Sequence, residues 1–164
     1  MHPAVLTPEA LRAEVQEVHA RRSGPGGQHR NKVQTGVVLV HRPTGISAEA
    51  TERRSQAANR RVALGRLRLR LALEHRTPPL PVPSPLWLAR TRGRRIAIAA
   101  DHEDYPALVA EALDRLHAEG LHMPAVAAAL GLTTTQLTRL FRKTAAAWVM
   151  LNRLRAGRGL PTLR

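Results

Sequence analysis

The chain has 164 residues, with 26 Lys and Arg against 12 Asp and Glu, a formal net charge of +14, four aromatic side chains and no cysteine. That charge, with an isoelectric point near 11.9, points to a polyanionic partner, nucleic acid first. The missing cysteines exclude disulfides, thiolate zinc sites and cysteine nucleophiles, and so few aromatics argue against single-strand binding by base stacking.

No apolar run reaches the ~18 residues of a membrane span. Residues 1–22 show neither the basic start nor the apolar core of a signal peptide, so a cytoplasmic protein is expected. The positive charge is spread along the chain: residues 1–76 hold 14 Lys and Arg against 6 Asp and Glu, and residues 77–164 hold 12 against 6.

In chain order, Thr7 is placed to cap a short helix with Pro8 at its first position. A half-polar strand is expected over 14–20. Arg22-Ser23-Gly24-Pro25-Gly26-Gly27-Gln28 follows, a loop in which glycines allow positive φ and close approach of the backbone to a partner. Pro25 stiffens its entry, and Gln28 brings a backbone donor, a carbonyl and an amide. One helical turn is expected over 29–35. Gly36 to His41 then reads as a buried strand rich in β-branched residues, Arg42-Pro43-Thr44-Gly45 as a turn, and 46–51 as the second arm of a hairpin.

Ser55 is a good N-cap for a helix running to about His75. Its apolar face is expected to hold Ala58, Val62, Leu69, Ala72 and Leu73, while Asn59, Ala63, Arg66 and Arg70 fall on a second, polar stripe. Thr77 to Pro85 contains five prolines and reads as an extended, semi-rigid linker, followed by four arginines between Arg90 and Arg95. Beyond it, a helix starting near Tyr105 groups Leu108, Ala112, Leu113 and Leu116, and Gly120 can stop it. Short helices follow, with Thr133 to Gln136 as a capping box, Leu137, Leu140 and Phe141 at helical spacing, and Trp148, Leu151 and Leu154 as core of a last helix.

The 124–141 pattern is helix-turn-helix-like and is similar to one half of the paired unit in AraC-type regulators. His102, Glu103, Asp104, His117 and His122 lack metal-ligand spacing and are assigned surface or capping roles. A nucleotide-phosphate loop is disfavoured, because the glycine stretch lacks the third glycine of the dinucleotide fingerprint and no Gly-Lys-Ser/Thr occurs.

Arg22 to Lys32, His41 to Ile46, and Arg54-Ser55-Gln56-Ala57-Ala58-Asn59-Arg60 together resemble the GGQ domain of the class I peptide release factors, over roughly residues 12–76. Three ordered segments at family spacing make the match specific. The resemblance implies that Gly26, Gly27 and Gln28 enter the ribosomal peptidyl-transferase centre and promote hydrolysis of the peptidyl-tRNA ester. Arg22, Arg30, Lys32, Arg53, Arg54 and Arg60 are candidates for phosphate contacts, and the density of basic residues on the helix, eight Lys and Arg against two Asp and Glu from Glu52 to Arg76, adds Arg66 and Arg70 as RNA contacts. The resemblance also implies the ribosome and peptidyl-tRNA as partners, and a glutamine methyltransferase acting on Gln28.

No cofactor or metal is expected, nor a membrane partner, and the chain is expected to be a monomer. About 20 residues precede the glycine loop, so the closest likeness is to the codon-independent rescue factors, although the C-terminus lacks their strongly basic tail. The expected fold is α+β: residues 1–76 form a GGQ domain with a hairpin-containing sheet packed on a long basic helix, 77–95 a linker, and 96–164 a small helical module. Two alternatives stay open, a non-catalytic RNA-binding assembly factor and a DNA-binding regulator.

Overall fold

A computed structural model describes residues 1–20 and 35–164. The described residues form two compact units, Pro3–His75 and Arg76–Arg164, the latter with Met1–His2. The fold is mixed α+β.

In the first unit a 3-10 turn, Pro3–Val5, leads into α1, Pro8–Ala13. Thr7 caps α1 by accepting from the Ala10 N–H at 3.2 Å, with proline in the first turn, where no N–H is needed. The strands β1, Val15–Ala20, β2, Gly36–His41, and β3, Ser47–Ala50, form an antiparallel sheet with β2 in the centre. Val37 faces Ala50 and Leu39 faces Ala48 across the β2–β3 ladder. All four are buried, so one side of the sheet is apolar. The helix α2, Gln56–Glu74, covers that side through Ala63, Leu64, Leu67 and Leu71, and Ser55 caps it by accepting from Ala58 N–H at 3.4 Å. His41 is buried between Glu14 (Nε2 to Oε2, 2.9 Å) and Thr44 (Nδ1 to Oγ1, 2.8 Å), which fixes the β2–β3 turn against the start of β1.

The buried face of α2 differs from the sequence expectation. Ala58, Val62 and Leu69 are only half-buried, whereas Asn59, Ala63 and Arg68 are buried with the leucines. The contact line runs 59, 63, 67, 71, at the i, i+4 spacing of a helix lying on a sheet. Asn59 is tolerated on it because its side chain is fully hydrogen-bonded, and beside the line Arg68 donates from Nη2 to the Ala4 carbonyl at 3.2 Å. The one-turn helix expected over 29–35 lies outside the described residues except for Thr35.

The second unit is built around α4, Tyr105–Ala118, in which Tyr105 to Ala110, Ala112, Leu113, Asp114 and Leu116 are all buried. A helix hidden on nearly every face is a core helix rather than the amphipathic one its leucines suggest. The proline-rich stretch supplies part of its cover. Thr77 donates to Asp114 from both N and Oγ1 (3.2 and 2.6 Å), as does Arg76 from Nη1 (3.0 Å). Ser84 donates to Glu111 from N and Oγ (2.8 and 2.5 Å), and Arg115 donates to the Leu80 carbonyl at 2.6 Å.

Residues 77–95 therefore do not behave as the spacer expected of them. An extended chain has free backbone and hydroxyl donors, and α4 presents carboxylates along its length to accept them. The stretch continues into α3, Pro85–Arg90, whose Trp87 is fully buried and donates from its indole N–H to the Leu130 carbonyl at 2.9 Å. A two-stranded hairpin follows, β4, Thr91–Arg92, and β5, Arg95–Ile96. Gly120 and Leu121, both at positive φ, end α4. The remaining helices are α5, Met123–Ala129, α6, Thr134–Arg142, and α7, Ala145–Gly157. His122 caps α5 by accepting from Ala125 N–H at 3.2 Å. Leu137, Leu140, Phe141 and Leu151 are buried as expected, whereas Trp148 and Leu154 are half-buried.

Candidate nucleic-acid interface

The β1–β2 ladder runs out to Ala20 opposite Gly36. The segment that carries Gly26, Gly27 and Gln28 thus starts and returns at neighbouring points on the sheet. Those three residues, with Arg22, Arg30 and Lys32, lie outside the described residues.

Directly beside that end of the ladder sits Asn59, fully buried near the start of α2. Its side-chain amide donates to the Thr35 carbonyl at 2.6 Å and the Arg53 carbonyl at 3.0 Å, and its Oδ1 accepts from Arg53 N–H at 2.9 Å. One asparagine therefore joins the residue entering β2, the loop before α2, and α2 itself. Leaving any of these buried groups unpaired costs about 1–3 kcal/mol. Asparagine suits the position because it alone among short side chains offers both a two-proton donor and an acceptor. By sequence alone Asn59 falls on a polar stripe with no role, and its one signal is its place in the Arg54 to Arg60 motif.

The candidate phosphate contacts divide into two groups. Arg53 and Arg54 are exposed, and neither guanidinium has a partner among the described residues; Arg61, absent from the sequence candidates, is the same. Arg60, Arg66 and Arg70 are instead tied to the unit's own carboxylates and carbonyls. Arg60 forms a two-point pair with Glu17 of β1, at 2.6 and 2.7 Å. Arg66 pairs with Glu52 at 2.6 Å and donates to the Glu49 carbonyl at 2.8 Å. Arg70 pairs with Glu74 at 2.7 and 3.0 Å and donates to the Ser47 carbonyl.

The carboxylates of Glu17 and Glu74 raise the Arg60 and Arg70 pKa values, holding both guanidinium groups more firmly charged. Glu52 is held below the usual carboxylate range, first by backbone N–H donors and then by Arg66. Exposed pairs of this kind are screened by solvent and hold weakly, so a phosphate can compete for the same guanidinium groups.

Residues 8–79 match the RF-1 domain. The segment is 44% identical over 71 residues to a mouse protein named peptide chain release factor 1-like, mitochondrial, covering 43% of this chain and 18% of that one. It is 46% identical over 67 residues to peptide chain release factor 1 of Symbiobacterium thermophilum (41% and 18%). It is also 51% identical over 59 residues to peptide chain release factor 2 of Variovorax paradoxus (36% and 16%). The first unit's sequence belongs to the class I release-factor GGQ-domain family. This chain spans less than a fifth of the length of those release factors. The RF-1 match ends at residue 79, leaving most of the second unit outside it. Among the described residues no helix is long and apolar enough to cross a membrane.

Proposed function

We propose that this chain promotes hydrolysis of the peptidyl-tRNA ester on stalled ribosomes, without reading a stop codon. The observation that carries this reading is the intact Gly26-Gly27-Gln28 within the segment that matches the RF-1 domain, between two strands paired to their ends. Glutamine does not ionise in the useful range, so Gln28 is no general base. Its backbone N–H and side chain orient a water on the ester carbonyl and stabilise the oxyanion that develops, with the ribosome supplying the rest of the site. Gly26 and Gly27 let the main chain approach the tRNA end closely.

Arg22, Arg30, Lys32, Arg53, Arg54, Arg60, Arg66 and Arg70 hold the surrounding RNA phosphates, Arg60, Arg66 and Arg70 by exchanging a carboxylate for a phosphate. The chain acts as a monomer in the cytoplasm, and a glutamine methyltransferase modifies Gln28.

The test is peptide release from ribosomes carrying peptidyl-tRNA, with the A site empty, filled by a sense codon, or filled by a stop codon. Release is expected with the A site empty and is independent of the stop codon. Gln28→Ala is expected to reduce it by about a hundredfold or more, as loss of one oxyanion donor does, while ribosome binding persists. Wild-type release by Gln28→Ala overturns the catalytic assignment. Release that requires a stop codon overturns the codon-independent part alone.

A further inference from the structure

The second unit contains a set of cations that its own fold does not neutralise. After Glu119 the chain has no acidic side chain but seven Lys and Arg. The helices α5 and α6 are joined by Leu130 to Thr133. Leu130 and Leu132 are buried, Gly131 is at positive φ, and the Thr133 hydroxyl caps α6 by accepting from Gln136 N–H at 3.2 Å. Leu137, Leu140 and Phe141 hold α6 to the core, which leaves Thr134, Thr135, Arg139 and Arg142, with Lys143 just beyond, on the exposed side.

The hairpin β4–β5 lies against the start of this helix. Thr133 N–H donates to the Arg94 carbonyl at 3.4 Å, Arg94 Nη2 to the Leu132 carbonyl at 3.5 Å, and the Trp87 indole just before the hairpin to Leu130. Arg92 and Arg95 are direct cross-strand partners, both exposed. Like charges facing each other destabilise a hairpin, and Arg94 beside them sits at φ 61, in the left-handed region few side chains adopt. Arg92, Arg95, Arg139 and Lys143 have no partner among the described residues. Arg90, which does, is bound to Asp104 at 2.6 Å.

The surface offers no stacking platform. Trp87, Tyr105 and Phe141 are buried, and Trp148 lies under the Arg142 guanidinium at 4.8 Å. Exposed cations and hydroxyls without aromatics suit the backbone of a double helix rather than unstacked bases. The Thr138 hydroxyl is turned back onto the Thr134 carbonyl at 2.9 Å, which removes one base-reading group from α6.

We propose that the exposed side of α6 and the 91–96 hairpin form one phosphate-binding face that docks on double-helical RNA. The choice of RNA over DNA rests on the release-factor reading of the first unit, because the two units share one chain. Phosphates of an RNA stem meet Arg92, Arg95, Arg139 and Lys143, and the threonine hydroxyls meet ribose 2′-OH groups across the shallow minor groove.

The test uses the full chain and a fluorescent RNA hairpin with a stem of about 16 base pairs, the span a duplex-reading domain covers, beside a DNA duplex of the same sequence. Replacing Arg92, Arg95, Arg139 and Lys143 together by alanine is expected to weaken RNA binding at least about tenfold and to flatten the log–log salt slope by about 3, at 0.7–0.9 per contact. The variant with Arg92→Lys, Arg95→Lys and Arg139→Lys keeps the charge and is expected to keep the slope, which separates charge from misfolding. Unchanged RNA affinity and slope in the alanine variant overturn the proposal, as does tighter binding to the DNA duplex. No peptidyl-tRNA is present in this assay, so a protein inactive in release can still pass it, and an active one can still fail.

Discussion

The two units place their paired charges differently. In Pro3–His75 three arginines of α2 are closed into pairs, Arg60 by Glu17 of β1, Arg66 by Glu52 of the loop before the helix and Arg70 by Glu74 of the helix itself, while Asn59, Arg68 and His41 bring polar groups into the interior. In Arg76–Arg164 the interior is aliphatic and aromatic apart from Asp114, the last acid is Glu119 at the end of α4, and of the cations that follow, Arg139, Lys143 and Arg153 are exposed. The lesson is that a net charge of +14 does not describe one surface. Where a carboxylate waits within reach, an arginine is a fastener that a phosphate must displace. Where none does, it is already free to bind.

The largest effect is expected from breaking the apolar side of this contrast. Trp87→Ala removes a fully buried indole and leaves the Leu130 carbonyl without its donor. It should cost about 3–5 kcal/mol, seen as early loss of the second unit's helices in thermal melts followed by circular dichroism. Equal loss in Trp87→Phe would show that packing is unimportant there.

Next comes the polar interior of the first unit. Asn59→Ala leaves the Thr35 and Arg53 carbonyls and the Arg53 N–H unpaired, for about 1–3 kcal/mol. Asn59→Asp should be at least as damaging despite its matching shape, because it sets a carboxylate against two carbonyls. Chemical denaturation compares the three proteins, and an Asn59→Asp as stable as wild type would discard the bridging role.

A smaller, pH-dependent effect belongs to Tyr105. Burial raises its pKa, partly offset by the hydrogen bond with Thr144, and its hydroxyl donates to the Leu140 carbonyl at 3.1 Å. The folded state therefore holds this proton more tightly than the unfolded chain. Its contribution is complete below about pH 10, the ordinary tyrosine value, and is lost as pH rises through the raised folded value. Tyr105→Phe should be less stable at neutral pH by about 1 kcal/mol and less sensitive to alkali. A wild-type alkaline transition in Tyr105→Phe would assign that transition elsewhere.

The smallest change in stability is expected for Arg66→Ala and Arg70→Ala, whose pairs are screened by solvent. Ribosome affinity should nevertheless fall and its salt dependence flatten, if these guanidinium groups trade carboxylate for phosphate. Unaltered salt dependence would leave them as fasteners only.

The boundaries of the elements were legible wherever a local rule decides them. Thr7 before Pro8, Ser55 before Gln56, the β-branched run 36–41 and Thr133 before α6 all act through the nearest three or four residues, which the sequence displays. The buried face of α2 was not, because residue type alone ranks Asn59 as polar and Val62 as apolar. Only the partners at Thr35 and Arg53, 24 and 6 positions away, show why the asparagine is the one inside. The 77–95 stretch is not legible for the same reason. Five prolines do describe an extended chain, but whether it is solvated or strapped down depends on Glu111 and Asp114 of α4, more than 25 residues later. Of the candidate site, the motif residues were visible as a string, while the division of the arginines into bound and free required the sheet.

The end of the β1–β2 ladder has a practical consequence. Ala20 and Gly36 are cross-strand partners, so the intervening chain can be exchanged for a two-residue type I′ turn such as Asn-Gly without altering the register on either side. Closure entropy changes slowly with chain length, about 0.6 kcal/mol per doubling, so shortening the connection should not unfold the sheet provided the new turn offers Asn59 a carbonyl in place of that of Thr35. Such a version would keep the paired strands and the helical unit while lacking Gly26, Gly27 and Gln28. It could occupy whatever surface the intact protein occupies and, unable to react, serve as a competitor that separates occupancy from chemistry in a mixed population.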